Sequence, residues 1–151
     1  MEISLVRAEI KDADEMWKMQ VTAFKEMLDY YQDYDTSPGN ESLEVIQDKI
    51  QHSYFYFIRA NGKKVGGIRI KILDDGKKSI SPLFVMPKYR DRGIAQKAIR
   101  LCENIHGSDC WILDTIMEEA GNCHLYEKMG YHATGHKEKI NDKLTLVFYA
   151  K

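Results

Sequence analysis

Apolar and polar residues recur along this chain with two different periods, and each period predicts a different kind of element. Runs rich in aromatic and β-branched residues predict strands, whereas apolar residues spaced three and four apart predict helices. Asp12, with Glu15 three residues later, has the spacing of a capping box at the start of the first helix. The predicted helices begin at Asp12, Ser42, Ile94 and Asn122. The predicted strands are Ile3–Val6, Tyr54–Ala60, Lys64–Leu73, Ser79–Met86, Cys110–Asp114, Tyr131–Glu138 and Lys143–Tyr149.

Turn residues indicate how these strands connect. Asn61-Gly62 and Asp75-Gly76 predict tight hairpins, so three consecutive strands are expected to form an antiparallel meander. Pro82 has no amide hydrogen, so strand pairing is expected to be interrupted there. The strand, helix and strand between Ser79 and Asp114 predict a right-handed crossover and one parallel pair. Residues 1–151 are thus predicted to form a single α+β domain with a mixed, mostly antiparallel sheet of about seven strands.

Composition narrows the class of protein without identifying it. Hydrophobic residues make up 44% of the chain and charged residues 30%, as in an ordinary globular protein. The formal charge of -1 leaves no large basic field for a nucleic acid backbone. No run is long and apolar enough to span a membrane, and the first residues lack a secretion signal. Three cysteines, an odd number, then indicate free thiols and a cytoplasmic protein, without the spacing of a zinc site.

A local cluster of basic residues stands out against this balance and surrounds a short glycine-containing loop. The loop, Arg90–Ala95, lies between a predicted strand and a predicted helix, where loop amides and the helix dipole attract an anion. Gly93 removes a Cβ from that loop, and Arg90 and Arg92 add positive charge. The pattern alone arises by chance in roughly one chain in seven, so a solvated charged loop before a helix remains an alternative. The basic cluster is Lys88, Arg90, Arg92, Lys97 and Arg100.

Two separate motifs at fixed positions carry a resemblance to a known family. The nucleoside triphosphatase loop and the dinucleotide-binding glycine motif are both missing from the sequence. Val85-Met86-Pro87 and Arg90-x-x-Gly93-x-Ala95, followed by Asn122-x-x-Leu125-Tyr126-x-x-x-Gly130-Tyr131, resemble the GNAT superfamily of acyl-CoA-dependent N-acetyltransferases. The predicted order of elements agrees with that family over nearly the whole chain. The resemblance implies helices on both faces of the sheet and a splayed central pair of strands.

The resemblance also implies a co-substrate, acetyl-CoA, and residues that bind it. The amides of the loop would bind the pyrophosphate, and the backbone of Phe84 and Val85 would pair with the pantetheine arm as an added strand does. Asn122 matches the family's asparagine near that arm. Members of the family often form dimers, so a homodimer is also allowed. The loop residues are Arg90, Asp91, Arg92, Gly93, Ile94 and Ala95.

Tyr126 matches the tyrosine that the family places near the thioester sulfur. A tyrosine titrates near about 10 and a thiol near about 8.5, so its hydroxyl can protonate a departing thiolate as general acid. The alternative is a half-buried helix tyrosine packed on the sheet. An N–H of the splayed strand, such as that of Val85, can hold the oxyanion. The base stays open, because Ser79–Phe84 contains no carboxylate: a water relay and Asp114 are options, and Asp114 can also simply cap a turn.

The acceptor is expected to meet a segment rich in tyrosine and aspartate between residues 28 and 40. Asp29, Tyr31 and Tyr34 suit an amine, although a wet helix end has the same composition. The predicted function is acetyl transfer to a primary amine of a small molecule or peptide, without a metal. The missing strand carboxylate leaves open an acyl-CoA-binding sensor that does not transfer the acetyl group. A plain interaction module would not bind the coenzyme.

Overall fold

Seven strands and four helices follow one another in the order that the hydrophobic periods predict. The computed structural model describes residues 1–151. The helices are α1 (Ala13–Tyr31), α2 (Leu43–His52), α3 (Ile94–His106) and α4 (Ala120–Lys128). Short 3-10 turns lie at Ile10–Asp12, Pro38–Asn40 and Pro87–Tyr89. The strands are β1 (Ile3–Arg7), β2 (Tyr54–Ala60), β3 (Lys63–Ile72), β4 (Lys78–Val85), β5 (Trp111–Ile116), β6 (His132–Lys139) and β7 (Thr145–Ala150).

All seven strands join one mixed sheet, in the order β1-β2-β3-β4-β5-β7-β6. Every pair is antiparallel except β4 with β5, which the crossover through α3 makes parallel. Asn61 and Gly62 both have positive φ, at 50° and 83°, as a type I′ hairpin between β2 and β3 requires. These findings confirm the predicted fold class.

The sheet is covered on both faces, because successive residues of a strand point to opposite sides. In β2, Phe55 and Phe57 pack in the cluster formed with α1 and α2, whereas Tyr56 and Ile58 pack in the cluster on the opposite face, which includes α3. Neighbouring residues of this strand are therefore apolar without a break, even though alternate side chains point to opposite faces of the sheet. No helix of the chain combines the length and apolar character that crossing a membrane requires.

β4 and β5 separate soon after they meet. Their pairing is limited to Lys78 with Trp111 and Ser79 with Ile112. The β3–β4 ladder is also irregular, and Arg69 of β3 donates through Nη1 to the carbonyl of Ser81 at 2.7 Å. Beyond Ser79 the β5-facing edge of β4 is therefore open, which confirms the splayed central pair.

The predicted capping box at the first helix is wrong. The carboxylate of Asp12 accepts from the backbone N–H of Glu9 at 2.9 Å, so it closes the 3-10 turn before α1. Glu15 instead pairs with Lys64 of β3 at 2.6 Å. Asp12 does occupy the N-cap position of α1, but its side chain accepts from Glu9 and leaves the first amides of the helix without a side-chain cap.

His106, at the end of α3, predicts a loss of stability in mild acid. Tyr56 Oη lies 2.9 Å from His106 Nε2, and burial, together with the charges of Lys78 and Arg7, lowers the pKa of this histidine. Below about pH 6.5 the unfolded chain therefore binds more protons at this histidine than the folded protein does. The free energy of unfolding is then unaffected by His106 above about pH 6.5 and falls as the pH drops further, by at most about 1.4 kcal/mol per pH unit. We expect H106Q to flatten this slope in melts between about pH 7 and pH 5, and H132Q, at an exposed site on β6, to retain it. Equal slopes for H106Q and the unmodified protein would contradict this.

Candidate active site

A cavity of about 700 Å³ opens where β4 and β5 separate. Its walls come from β4, the start of α3, β5 and α4, and its far end is closed by the last turn of α1 and the loop after it. Residues far apart in sequence therefore share a single cleft, and the cleft has two chemically different ends.

One end is formed by the Arg90–Ala95 loop and the start of α3. Gly93 is the first residue to accept a helical bond, from Lys97 N at 3.3 Å, and no side chain caps the helix above it. The first amides of α3 therefore lack a partner within the helix and suit an anion. Asp91 and Gly93 both have left-handed backbone, with φ of 63° and 75°. A Cβ on Gly93 would meet nothing within 4 Å, so glycine serves the backbone conformation here, not the filling of space.

Arg90 lines the cavity and also has partners within the protein. Its guanidinium donates to the carbonyl of Val85 at 3.0 Å and to that of Ala23 at 2.7 Å, so it ties the loop to β4 and α1. Arg92 Nη2 lies 3.5 Å from the carbonyl of Lys88, outside the cavity wall. Asp91, Gly93, Ile94 and Ala95 line the cavity together with Arg90, so the loop forms one end of its wall.

The open edge of β4 forms the middle of the cleft. Met86 N–H donates to Val65 of β3 at 2.8 Å, so by alternation the N–H and C=O of Val85 face away from β3, toward the cleft. Phe84 is 4% exposed, and its ring lies where a Cβ on Gly67 would approach to 2.7 Å. Gly67 therefore makes room for this ring, and Gly66, where a Cβ would collide with the carbonyl of Phe84, allows β4 to lie close to β3 while its other edge stays free.

Polar side chains of α4 and of the residue before it form the opposite wall of the cleft. Asn122 and Tyr126 are four residues apart on one face of α4, Glu119 immediately precedes the helix, and all three line the cavity. Tyr126 is 9% exposed, its ring packs against Tyr131 and Tyr149, and no protein group hydrogen-bonds to its hydroxyl. Burial, then the charges of Asp114 and Cys123, raise the pKa of Tyr126. The hydroxyl therefore keeps its proton at neutral pH.

The other end of the cleft is closed by Tyr31. Its hydroxyl donates to Glu119 Oε2 at 2.5 Å, across 88 residues of sequence, and Asn141 Nδ2 donates to its carbonyl at 2.8 Å. Burial and the neighbouring Glu119 raise the pKa of Tyr31. These bonds join the end of α1 to α4 and to the β6–β7 turn.

The structure brings only part of the predicted acceptor segment to the cavity. Asp29 pairs with Lys25 at 2.8 Å on the exposed side of α1, Tyr34 is 58% exposed, and neither lines the cavity. Asp33 lines it, but its carboxylate already accepts from the N–H and hydroxyl of Thr36. Asp114 also lines it, where desolvation and the charge of Glu138 raise its pKa.

Several solved structures that share this fold are acetyltransferases. The PaiA N-acetyltransferase of Thermoplasma acidophilum, in complex with coenzyme A, is 16% identical, with a TM-score of 0.76 over all of both chains. The ribosomal-protein-S18-alanine N-acetyltransferase of Escherichia coli is 13% identical, with a TM-score of 0.72 over 99% of this chain and 92% of that one. An enzyme of Salmonella typhimurium that modifies the N-terminal serine of ribosomal protein L7/L12 is 12% identical, with a TM-score of 0.75 over 99% and 94%.

The solved structures show the fold, and the sequence itself shows the class of protein, an acetyltransferase. The chain belongs to the acetyltransferase (GNAT) family, whose sequence model matches residues 24–131. No curated protein sequence matches the chain. The family match confirms the resemblance that the two sequence motifs carried and makes the protein an acyltransferase.

Proposed function

We propose that this protein transfers an acetyl group from acetyl-CoA to the primary amine of a small molecule or peptide. Family membership supports acetyl transfer, and the arrangement of the cleft supports the finer assignment. The observation that carries it is one continuous cavity lined by the uncapped start of α3, the open edge of β4 and the unpartnered hydroxyl of Tyr126.

The residues present fit the coenzyme. The amides of residues 93–96 suit a pyrophosphate, and Asp91 and Gly93 turn the loop so that its backbone lines the cleft. The backbones of Leu83 and Val85 face the cleft, because that of Phe84 faces β3 by alternation, and this free edge can pair with the amide-containing pantetheine arm as an added strand does. Asn122, across the cleft on α4, can bond the same arm. Arg90 contributes by holding the loop against β4.

Bound acetyl-CoA supplies a thioester carbonyl that an amine can attack. The chain must then stabilise the carbonyl oxygen and protonate the leaving sulfur. Val85 N–H faces the cleft and can donate to that oxygen. Tyr126 keeps its proton because its pKa is raised, so it can act as general acid to the thiolate.

Two measurements on one protein sample test this function. We expect acetyl-CoA to stabilise the protein in a thermal melt, by about 2.7 kcal/mol at a hundred times its dissociation constant. We also expect release of coenzyme A thiol with at least one member of a panel of small amines and amino-terminal peptides. No stabilisation would contradict the coenzyme site. Stabilisation without thiol release across the panel would favour an acyl-CoA sensor.

A further inference from the structure

Glu119 is a carboxylate in the cavity wall that no sequence motif indicated, and a side chain from a different helix, α1, holds it in position. It precedes α4, and Tyr31 donates to its Oε2 at 2.5 Å, whereas its Oε1 has no protein partner. Tyr31 is 4% exposed and held by Asn141, so the donor is itself rigid. One oxygen of Glu119 is thus anchored and the other is left for a ligand.

The other carboxylates in the cavity wall are placed or used differently. Asp33 is occupied by Thr36, and Asp91 lies in the loop at the coenzyme end. Asp114 lies on β5, close enough to Tyr126 for its charge to raise the tyrosine's pKa. A base beside the general acid would compete for the same proton, whereas Glu119 stands apart from it.

Glu119 and Tyr126 occupy separate places along the cleft wall. Glu119 is the residue before the first turn of α4 and Tyr126 lies seven residues later, so their backbones are about 10 Å apart along the helix axis. If the thioester sulfur lies at Tyr126, the amine can approach from the Glu119 side with the acetyl group between them. Because Tyr31 holds Glu119 in place, the same bond that closes the cleft orients the carboxylate.

We propose that Glu119 receives the acceptor as an ammonium ion and takes its proton before attack, with Tyr31 as the positioning residue. This inference rests on the proposed function. One ammonium proton passes to the Glu119 carboxylate, and the freed nitrogen lone pair forms the C–N bond to the acetyl carbon. As the C–S bond breaks, the thiolate takes the Tyr126 proton, and the second nitrogen proton restores the tyrosine. One proton leaves Glu119 for solvent in each turnover.

A matched pair of amines tests this role. An alkylammonium titrates near about 10.4 and is charged at neutral pH, so n-butylamine needs a base. O-propylhydroxylamine has the same length but an uncharged nitrogen at neutral pH. We expect E119Q to lower kcat/KM for n-butylamine by about a hundredfold or more and to change that for O-propylhydroxylamine by less than about threefold. Between about pH 6 and pH 9, kcat/KM for n-butylamine should be flat in the unmodified enzyme and rise about tenfold per pH unit in E119Q.

The neighbouring Glu118 provides the control. Its Oε1 accepts from Thr145 N–H at 3.0 Å, a bond that glutamine can keep, so E118Q should retain activity with both amines. Y31F should show the same amine-selective loss as E119Q, but a smaller one. Equal losses with both amines in E119Q, or a selective loss in D114N instead, would overturn the role of Glu119. Where the unmodified protein accepts another amine of the panel but neither of these two, the same comparison is made with that amine; stabilisation by acetyl-CoA with no acetylation of any panel member would overturn the proposed transfer itself.

Discussion

Replacing Tyr126 with phenylalanine is expected to lower kcat by about 10²–10⁴-fold while leaving the affinity for acetyl-CoA nearly unchanged. The substitution removes one hydroxyl that has no protein partner, and the ring can keep its contacts with Tyr131 and Tyr149. Packing is therefore preserved, and only the proton donor is lost. Turnover is measured by thiol release and affinity by thermal stabilisation.

The loss of kcat in Y126F should depend on the basicity of the leaving thiolate. Burial and nearby negative charge raise the pKa of Tyr126, so the hydroxyl is protonated throughout the neutral range and the variant's deficit should be constant there. A thioester whose thiol is more acidic than coenzyme A should lose less in Y126F, because its thiolate leaves without help. A deficit equal for both leaving groups would point to a packing effect.

Tyr131 offers a matched control for the same change. It is 1% exposed, packs edge-on against Tyr126, and has a buried hydroxyl without a partner. Removing an unpaired buried hydroxyl relieves a desolvation cost, so Y131F should keep activity and melt at the same temperature or higher. Unchanged turnover in Y126F, or an equal loss in Y131F, would remove the general-acid assignment.

The fold could be predicted from sequence because its signals are local. Hairpin residues such as Asn61-Gly62 determine their own turn, and apolar spacing identifies each helix within a few residues. The structure differs from the prediction mainly at the ends of helices and strands. The 3-10 turn at Ile10–Asp12, for example, depends on a bond between Glu9 and Asp12 that the helical period does not include.

The candidate site could be predicted only where one short segment contains it. The Arg90–Ala95 loop and the Tyr126 face of α4 each consist of residues close together in sequence, so the spacing of residue types could indicate that they line a site. Glu119 gains its place from Tyr31, 88 residues earlier, and composition cannot show that contact. Likewise, charge suggested that Arg90 meets phosphate, but the proximity of Ala23 and Val85 carbonyls decides where its guanidinium points.

The geometry of a helix explains why only part of the tyrosine- and aspartate-rich segment reaches the cavity. Tyr31 lies on the last turn of α1 and faces the cleft, whereas Asp29, two residues earlier, lies on the exposed side of the same turn. Residues two apart on a helix do not share a face. Segment composition could therefore not indicate which of these side chains reaches the cavity.

Placing a carboxylate at Gly93 is expected to abolish acetyl-CoA binding without unfolding the protein. A side chain at this position projects into open space at the start of α3, where it neither clashes nor fills a core. G93E would put a negative charge at the amides that suit the pyrophosphate, repelling one anion with another. The stabilisation of about 2.7 kcal/mol at a hundredfold excess of acetyl-CoA should be lost.

Gly76 allows backbone strain to be separated from loss of the site. It lies in the β3–β4 hairpin with φ of 86°, close to the 75° of Gly93, and a Cβ there also meets nothing within 4 Å. Both substitutions place an L residue in left-handed backbone, at a cost of about 1–2 kcal/mol, so G76E and G93E should both melt below the unmodified protein. G93E should be the more stable of the two without ligand, because a carboxylate near a helix N-terminus contributes about 0.3–1 kcal/mol. Acetyl-CoA should then raise the melting temperature of G76E and not of G93E, and a retained shift in G93E would contradict the pyrophosphate assignment.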